Sequence, residues 1–544
     1  MTIYNNAGEV LLTVDVSDNS YRYTELKGDD YVQVEFYSKE LIDIPVGAYI
    51  EISTDLSKRA RYTLYKSPQI TQENTKGYIY NLRMEGDRAI MKQYVFYNTV
   101  DKRTSFTLSA TPIEHLKMIL DNLNMREGAN MWRCDESKCI TGDVTTISYE
   151  GLSCYDALQL LAATCDTEYD MERIENPDSF DVSTGVVKPG EKYIKVTLNR
   201  IEYGGFSPVT LAYGKGNGLI SGITRSADED ISSIGVVFIK GGNKNINPSK
   251  YGSPTLLLPQ SNTSGIMKGG KFDGNYFSNE NGYNQLEGRA YTISERRNSV
   301  SFDDTTNKAE TVIDCSDIFP QRIGSVTNYT TTNGGKPTVF DNKIPSDLNY
   351  NDYLIDGQQL TIVFQSGMLA GKEFKATYDH SNKYFVIEPI YIDDYLMPSN
   401  DFKPARDDKY IVYGVAVPDS YVQSAEIEVL RKALKELIIK SSPIYTYTMR
   451  TDIVHVKANY IYANGAYQCG SRINLTGFGE TKALRVLTRK NNINTPYSIE
   501  LTLGNGTTKR RWYVSQLLTT SQQAGDNRTN HNFMVNVNNS LDRI

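Results

Sequence analysis

The sequence predicts a multidomain α+β protein that is mainly β, and three patterns support this prediction. Apolar and polar side chains alternate at period two through most of the first hundred residues and again after residue 440. Residues 105–207 instead contain apolar positions at helical spacing. Residues 241–345 are rich in Gly, Asn, Ser and Thr, which is typical of a loop-rich β region. A chain of 544 residues is long enough for about three to four domains.

The first domain, residues 1–104, is predicted to be a small antiparallel β-barrel. Gly28-Asp29-Asp30 and Pro45-Val46-Gly47 supply turns between strands. Four segments in this domain alternate like half-buried strands: VLLTVDV (10–16), DYVQVEFY (30–37), RYTLYKS (61–67) and GYIYNLRME (77–85).

Residues 105–207 are predicted to form a small α/β domain. Thr111 precedes Pro112, and Glu114 follows three positions later, which is the pattern of a capping box at a helix start. A second helix is expected to begin at Ser153. The first helix has one apolar face, formed by Ile113, Leu116, Leu120 and Leu123.

The rest of the chain is predicted to be mostly strands, with one long helix. We expect residues 208–240 to return strands to the first barrel and residues 241–405 to form the loop-rich β domain. Residues 406–520 are predicted to hold an amphipathic helix, starting at Ser424, and a second β-barrel. The helix has an apolar stripe of Ile427, Leu430, Leu434, Leu437 and Ile438.

The last segment, residues 521–544, is predicted to be an extended C-terminal arm. It has few apolar side chains and no regular period, so it cannot bury enough surface to order itself. Met534-Val535-Asn536-Val537 nevertheless alternates like a short strand. Two outcomes stay open: the arm adds an extended segment to a neighbouring subunit, or it stays mobile.

Composition argues against several classes of protein. The net charge of −7 is opposite to that of a general nucleic-acid coat. Six cysteines are too few for a disulfide scaffold, and no apolar run reaches the roughly 20 residues that span a bilayer. The start, MTIYNNAGEVLLTV, lacks the features of a secretory signal, so we expect synthesis in a cytoplasm and no stable membrane insertion. The 39 tyrosines favour either β-rich structure or an interface-rich assembly protein.

Histidines and cysteines show no metal-binding pattern. His115, His380, His455 and His531 are scattered, one to a region, and His115 is predicted to have a structural role inside the first helix. Cys134 and Cys139 form a C-x4-C pair without a second pair at zinc spacing. We therefore predict no metal site, and the expected cytoplasmic synthesis argues against a disulfide between these two residues.

Two Gly-rich stretches are better interpreted as turns than as phosphate-binding loops. Gly214-Lys215-Gly216-Asn217-Gly218 does not precede a predicted helix, which a phosphate loop requires. Gly367-Met368-Leu369-Ala370-Gly371-Lys372-Glu373 is one residue short of a P-loop and has Glu where Ser or Thr would hold magnesium. No cofactor is predicted.

The remaining polar clusters do not predict an active site. Asp303-Asp304, Asp393-Asp394 and Asp407-Asp408 are adjacent along the chain, and adjacent strand residues point to opposite faces. The basic and aromatic cluster Lys509-Arg510-Arg511-Trp512 is either a solvated strand end or a contact for a partner or passing DNA. We therefore predict no catalytic, cofactor-binding or metal-binding residues, and no enzymatic activity.

The order of these domains resembles the tail-hub proteins of siphophages and contractile tails. The resemblance covers most of residues 1–515, with residues 260–355 poorly matched, and its motifs contain no catalytic residue. Five stretches are similar to tail proteins: IPVGAYIEI (44–52), NTVDKRTSFTLSATPIEHLKMILDNLN (98–124), LAYGKGNGLISG (211–222), GGNKNINPSKYGSPTLLLP (241–259) and IVFQSGMLAGKEF (362–374).

The resemblance implies a structural baseplate hub in the virion tail tip. Two barrels in each of three chains would imitate a sixfold ring and join a hexameric tail tube to a threefold tip. Expected partners are two further copies of the chain, the distal tail protein, the tape-measure protein and tip or receptor-binding proteins. Genomic DNA would pass transiently through the lumen.

Two alternatives from other classes remain. The first is a tail-associated cell-wall hydrolase, since many relatives in this class have such a domain after the hub. Only about thirty residues follow the last predicted strand here, which is too few for that domain. The second alternative is a carbohydrate-binding or receptor-binding tail protein.

Overall fold

The computed structural model has 42% strand and 17% helix, which confirms the predicted mainly β class. The C-terminal arm 521–544 and the cluster at 509–512 lie outside the described residues. The structure describes residues 1–53, 59–74, 77–99, 102–142, 144–165, 167–175, 179–181, 186–188, 190–201, 209–227, 234–260, 264–266, 271–272, 275–276, 290–303, 305–331, 335–392, 395–399, 401–440, 445–463 and 467–504.

Thirty-eight strands are found in these ranges. In chain order they are β1 (Thr2–Tyr4), β2 (Val10–Thr13), β3 (Tyr21–Glu25), β4 (Asp30–Ser38), β5 (Tyr49–Ser53), β6 (Arg59–Thr63), β7 (Gln69–Asn74), β8 (Gly77–Glu85), β9 (Ser105–Ala110), β10 (Trp132–Cys134), β11 (Thr145–Glu150), β12 (Tyr169–Glu175), β13 (Ser179–Asp181), β14 (Val186–Lys188), β15 (Lys192–Leu198), β16 (Thr210–Tyr213), β17 (Gly218–Leu219), β18 (Thr224–Ala227), β19 (Val236–Gly241), β20 (Ser264–Ile266), β21 (Lys271–Phe272), β22 (Asn275–Tyr276), β23 (Ala290–Ile293), β24 (Ser299–Phe302), β25 (Glu310–Cys315), β26 (Gly324–Ser325), β27 (Asn328–Thr331), β28 (Pro337–Phe340), β29 (Thr361–Phe364), β30 (Glu373–Asp379), β31 (Tyr384–Ile387), β32 (Ile390–Ile392), β33 (Tyr395–Met397), β34 (Lys409–Tyr413), β35 (Tyr445–Arg450), β36 (Arg472–Gly477), β37 (Glu480–Asn492) and β38 (Ile499–Gly504).

Six α-helices are described alongside these strands, and none of them is long and apolar enough to cross a membrane. The helices are α1 (Arg88–Gln93), α2 (Pro112–Glu127), α3 (Cys154–Thr164), α4 (Pro248–Tyr251), α5 (Asp419–Lys440) and α6 (Ile453–Ala463).

Strands from residues 2–85, 210–227 and 445–504 form one sheet of fifteen strands. One half, here called the first β unit, contains β1 to β8. Its core is built by alternation: Val32, Val34 and Phe36 of β4 point inward, and the ring of Phe36 stacks on Tyr80 of β8 at 4.9 Å. Burying each of these large apolar side chains contributes roughly 1.5–3 kcal/mol.

The other half of the sheet, here called the second β unit, contains β16 to β18 and β35 to β38. Residues 208–240 had been expected to return strands to the first barrel, and this expectation is wrong. Strand β16 pairs with β36, and β18 pairs with β35. The reason is packing, because Leu211 and Leu219 lie in the same core as Ile473 and Leu475.

Between β8 and β16, the chain forms an α/β unit from α2, α3, β9 to β12 and β15. The predicted helix starts are confirmed: Thr111 caps α2 in a capping box with Glu114, and Ser153 caps α3 by accepting a hydrogen bond from the Asp156 amide. Helices α2 and α3 share one core with Trp132, which is almost fully buried.

The described parts of residues 234–417 contain two larger sheets, one of five strands and one of seven, and the two-stranded sheets β21–β22 and β32–β33. Strand β19 belongs to the five-stranded sheet, where it pairs with β24 and β25, so it also does not return to the first barrel. Helix α5 packs on this sheet through Val429, Leu430 and Leu434. The helix begins at Asp419, directly after Pro418 and five residues before the predicted start at Ser424.

Candidate functional site

The two β units are joined by pairing between β3 and β37. Tyr21 lies opposite Asn492 and Glu25 lies opposite Thr488 in this antiparallel ladder. We call this pairing, with the side chains that pack around it, the joint. Apolar side chains from each β unit reach across it into the core of the other. Leu26, from the first unit, is buried in the core of the second unit, and Ile493, from the second, packs against the core of the first. Burial of apolar surface on both sides therefore fixes the joint.

The turn after β3 is held by the α/β unit. Lys27 has a positive φ of 57°, and its carbonyl accepts hydrogen bonds from Gln159 Nε2 at 2.6 Å and from the Tyr169 hydroxyl at 3.0 Å. Arg88 Nη1 donates to the carbonyl of Gly28 at 2.8 Å. The carbonyl oxygens of Lys27 and Gly28 lie in the turn, outside the hydrogen-bonded strand ladder, and these side chains supply their hydrogen-bond donors. The α/β unit is thus tied to the joint by directional contacts.

A buried ion pair links the α/β unit to the second β unit. Arg485 of β37 donates two hydrogen bonds to Glu168, at 2.6 and 2.9 Å, and others to the carbonyls of Gly470 and Ile201 at 3.1 and 3.0 Å. Both residues are more than nine-tenths buried. Burial by itself would raise the pKa of Glu168, but the hydrogen bonds and charge of Arg485 hold this pKa below its ordinary value.

Sequence reasoning missed this pair. Arg485 stands between Leu484 and Val486 on a strand with alternating side chains, and such a position predicts a solvent-exposed side chain. In the structure Leu484, Arg485 and Val486 are all buried, because β37 is covered on both faces. Glu168 follows the end of α3 and has no local signal of its partner, which lies 317 residues away.

A polar cleft of about 890 Å³ lies against β3, β4, β7, β8 and α1. Three cations and three carboxylates line it, and Lys66 and Glu35 are among them. Arg83 contacts Glu85 at 2.6 Å and Asp29 at 3.3 Å, and Lys92 contacts Asp29 at 3.2 Å. The Arg83 guanidinium also lies 3.7 Å from the centre of the Tyr31 ring. Because these charges neutralise one another, the cleft does not present the excess positive charge that binds an anion.

His115 has the structural role that the sequence predicted. It is fully buried, its Nε2 lies 3.0 Å from the Thr145 carbonyl, and its Nδ1 lies 3.0 Å from the Tyr149 hydroxyl. Burial lowers the pKa of His115 to about 4. A neutral ring that donates through Nε2 and accepts at Nδ1 satisfies both contacts, so both nitrogens are used within the core.

Of the other singled-out histidines and cysteines that the structure describes, only Cys134 and Cys139 are brought together. His380 follows β30, His455 lies in α6, and His531 falls beyond the described part of the chain. Cys134 and Cys139 are close, with their sulfurs 3.5 Å apart. Within the described ranges, no group of three or more His, Cys, Asp or Glu side chains could hold a metal ion.

Both Gly-rich stretches connect strands, as predicted. Residues 214–217 lie between β16 and β17, and residues 365–372 lie between β29 and β30. Gly367 has a φ of 75°, and a side chain there would collide with the Asp408 carboxylate. Neither stretch leads into a helix, so neither forms the phosphate cradle of a helix N-terminus.

Of the adjacent carboxylates, Asp407 and Asp408 are both described, and they do not form an acid and base pair. Asp407 is exposed, whereas Asp408 is buried and accepts a hydrogen bond from the Ala405 amide at 2.7 Å. Burial raises the pKa of Asp408 to about 6. Asp303 accepts a hydrogen bond from the Thr292 hydroxyl at 2.7 Å, and Asp304, Asp393 and Asp394 are outside the described residues.

Comparisons with known proteins give matches among solved structures alone. No protein-family model matches the sequence, and no curated protein matches it. Twenty-eight chains of solved structures match. These matches include phage tail and baseplate proteins, the class that the sequence resemblance indicated.

Three of these structures span almost the whole chain at low identity. A tail protein from Neisseria meningitidis MC58 has 8% identity and a TM-score of 0.43, with 92% of this chain and 96% of that chain covered. Prophage tail protein gp18 from Listeria monocytogenes EGD-e has 9% identity and a TM-score of 0.39, with coverage of 96% and 98%. A chain of the phage P2 baseplate in its activated conformation has 7% identity and a TM-score of 0.30, with coverage of 93% and 99%. The likeness is coarse.

Proposed function

We propose that this chain is a structural subunit of a phage tail tip, a baseplate hub that assembles as a ring of three copies. The observation that supports this most directly is the pair of β units in one chain. Each unit has its own apolar core, and the two are joined in a single sheet through β3 and β37. Three copies of a chain with two such units present six positions around one axis, which suits the joining of a sixfold tube to a threefold tip.

The contacts around the joint also suit this role. A ring subunit that transmits load between two assemblies needs its two β units held at a fixed angle. The joint combines a backbone ladder with an exchange of Leu26 and Ile493 between cores. The α/β unit contacts both sides of it, since Gln159 binds the turn after β3 and Glu168 pairs with Arg485 of the second β unit. We further propose that the ring holds the end of the tape-measure protein, contacts the distal tail protein and lets DNA pass. The net charge of −7 supports the last point, since an acidic wall does not bind DNA tightly.

The oligomeric state tests the proposal directly. Light scattering of the purified protein should give three times the 61.2 kDa of one chain, and electron microscopy of tails should show three copies in a ring. Leu26→Asp, which places a charge in the joint, should abolish the ring. Val312→Asp changes an exposed apolar side chain of the five-stranded sheet and should leave the ring intact. A stable monomer, with no threefold ring in the tail, would overturn the proposal.

We also propose that the chain has no cell-wall hydrolase activity of its own. Two titratable groups that the sequence singled out, His115 and Asp408, are buried and use their polar atoms within the fold. His115 uses both ring nitrogens in the core, and Asp408 accepts a backbone amide. Zymography on peptidoglycan should therefore show no lytic band. A band that disappears on substitution of a single Asp, Glu, His or Cys would identify the chain as an enzyme.

A further inference from the structure

Two cysteines of the α/β unit face each other at the end of β10. The sulfurs of Cys134 and Cys139 are 3.5 Å apart and not bonded. Cys134 is half-buried and Cys139 is buried. A tight turn brings them together, because the amides of Lys138 and Cys139 both donate to the Asp135 carbonyl, at 3.0 and 3.2 Å.

The backbone on each side of this turn is fastened to β15. The Asp135 amide donates to the Val196 carbonyl at 3.0 Å, and the Ile140 amide donates to the Leu198 carbonyl at 2.8 Å. The Leu198 amide in turn donates to the Cys139 sulfur at 3.2 Å. The two thiols are therefore held in contact. They need to approach by only about 1.5 Å to reach the S–S bonding distance of about 2.05 Å, and rotation of the side chains can supply this movement.

Cys139 also differs in chemistry from the other buried cysteines, whereas the hydrogen bond with Cys139 and burial raise the pKa of Cys134. The hydrogen bond from Cys134, with the contribution of the Leu198 amide, lowers the pKa of Cys139 to about 7. Thiolate, the reactive form, is therefore well populated at neutral pH for this residue. Burial raises the pKa of three other thiols to about 12, which keeps them protonated: Cys154, Cys315 and Cys469.

We propose that Cys134 and Cys139 are a redox site that closes to a reversible disulfide when the protein meets a small peroxide. The Cys139 thiolate attacks one peroxide oxygen and breaks the O–O bond, which gives a sulfenic acid and releases one water after proton uptake. The Cys134 sulfur then loses its proton, attacks the Cys139 sulfur and displaces the second water. Two thiols are oxidised by two electrons in total, and one hydrogen peroxide is reduced to two waters.

The disulfide is expected to cross-link the two ends of the turn at 135–138, with little change in the surrounding fold. Both ends of this turn are already hydrogen-bonded to β15, so the disulfide would hold the same conformation covalently. A reducing cytoplasm, where we expect synthesis, keeps thiols unpaired. A particle that leaves its host meets oxidising conditions, under which disulfides persist. This inference concerns the α/β unit alone and does not depend on ring assembly.

Peptide mapping of the full-length protein tests the proposal. The folded protein is treated with hydrogen peroxide, alkylated, and cut with trypsin and a glutamate-specific protease. Cleavage after Lys138 and Glu150 separates Cys139 from Cys154 and Cys165. The expected product joins residues 134–136 to residues 139–150, is lighter than the two reduced peptides by two hydrogen atoms, and disappears with dithiothreitol.

Two variants and one unfolded sample serve as controls. Cys134→Ser should leave Cys139 as a sulfenic acid that a dimedone probe captures, whereas Cys165→Ser, which removes a half-buried thiol of the same unit, should keep the linkage. Protein unfolded in urea should lose the preference for this pair. The proposal is overturned if Cys134 and Cys139 are both fully alkylated after peroxide treatment, or if either is linked instead to a different cysteine. Circular dichroism of each variant confirms that it is folded.

Discussion

Removing the buried carboxylate of Glu168 should be one of the most damaging single substitutions in the chain. Glu168→Ala leaves the Arg485 guanidinium buried without its charge partner, although two backbone carbonyls still accept from it. Breaking a buried ion pair from one side costs about 3–5 kcal/mol, because the remaining charge is desolvated and uncompensated. The Ile201 amide also loses the acceptor to which it donates at 2.9 Å.

A double variant distinguishes the free energy lost by leaving one charge unpaired from the free energy lost by any substitution at this site. Glu168→Leu combined with Arg485→Met removes both charges, so it should cost less than the sum of the single variants by about 1–3 kcal/mol. The pH dependence has a definite sign. Since folding holds the pKa of Glu168 below its unfolded value of about 4.3, the pair stabilises the fold above that pH. This stability is lost as the pH falls through the lowered folded pKa.

Urea titration followed by tryptophan fluorescence measures these differences in the right part of the molecule. Trp132 is buried in the α/β unit, and the chain has one other tryptophan, Trp512, which Trp512→Phe removes. Glu480→Ala is a matched control, since Glu480 pairs with Lys482 at 2.6 Å on the same strand but both side chains are well exposed. That control should cost under about 1 kcal/mol. If Glu168→Ala costs no more than Glu480→Ala, the buried ion pair does not contribute the stability expected of it.

Two further predictions concern stability. Glu373 is buried, with one carboxylate oxygen unpartnered among the described residues, and burial raises its pKa to about 7. Its protonated form is favoured in the fold, so stability is full below pH 4 or so and is lost as the pH rises through about 7. Glu373→Gln should therefore stabilise the protein by about 1–3 kcal/mol at pH 8. The melting temperature should fall less between pH 5 and pH 8 in this variant than in the unsubstituted protein, and an equal fall in both would contradict the prediction. Thr111→Ala removes the cap of α2 and should cost about 0.5–2 kcal/mol in the Trp132 urea titration, and no measurable loss would show that the capping box is dispensable.

The features that sequence predicted best are those with a local cause. The start of α2 follows from Thr111 and Glu114, whose contacts span three residues, and the start of α3 follows from Ser153. Strand β8 occupies the predicted residues 77–85, because its side chains alternate along its whole length. Such signals need no knowledge of the partner strand.

The sequence-based predictions failed where a packing partner distant in sequence determines the structure. The pattern of residues 210–219 predicts strands, but only the fit of Leu211 and Leu219 into the core of the second β unit selects β36 as a neighbour. Helix α5 has an apolar stripe that would suit several sheets, and it packs on the five-stranded one. The same limit applies to Arg485, whose burial is set by Glu168 far away in sequence. Alternation predicts a strand, but it does not identify what lies on either face.

The joint between the β units illustrates why a structural role does not require a conspicuous motif. Its apolar part, Leu26 and Ile493, provides most of the burial but little direction, since apolar contacts tolerate small rotations. The polar contacts act through the α/β unit, which binds the second β unit through the Arg485 fork on Glu168 and the turn after β3 through Gln159 and Tyr169. Such bonds are strict in geometry, and a buried ion pair is nearly neutral in net stability. Together they give a joint that is both stable and fixed in angle. A subunit with such a joint can set the spacing of its two β units before any neighbour binds, and a ring that joins two assemblies requires that property of each of its chains.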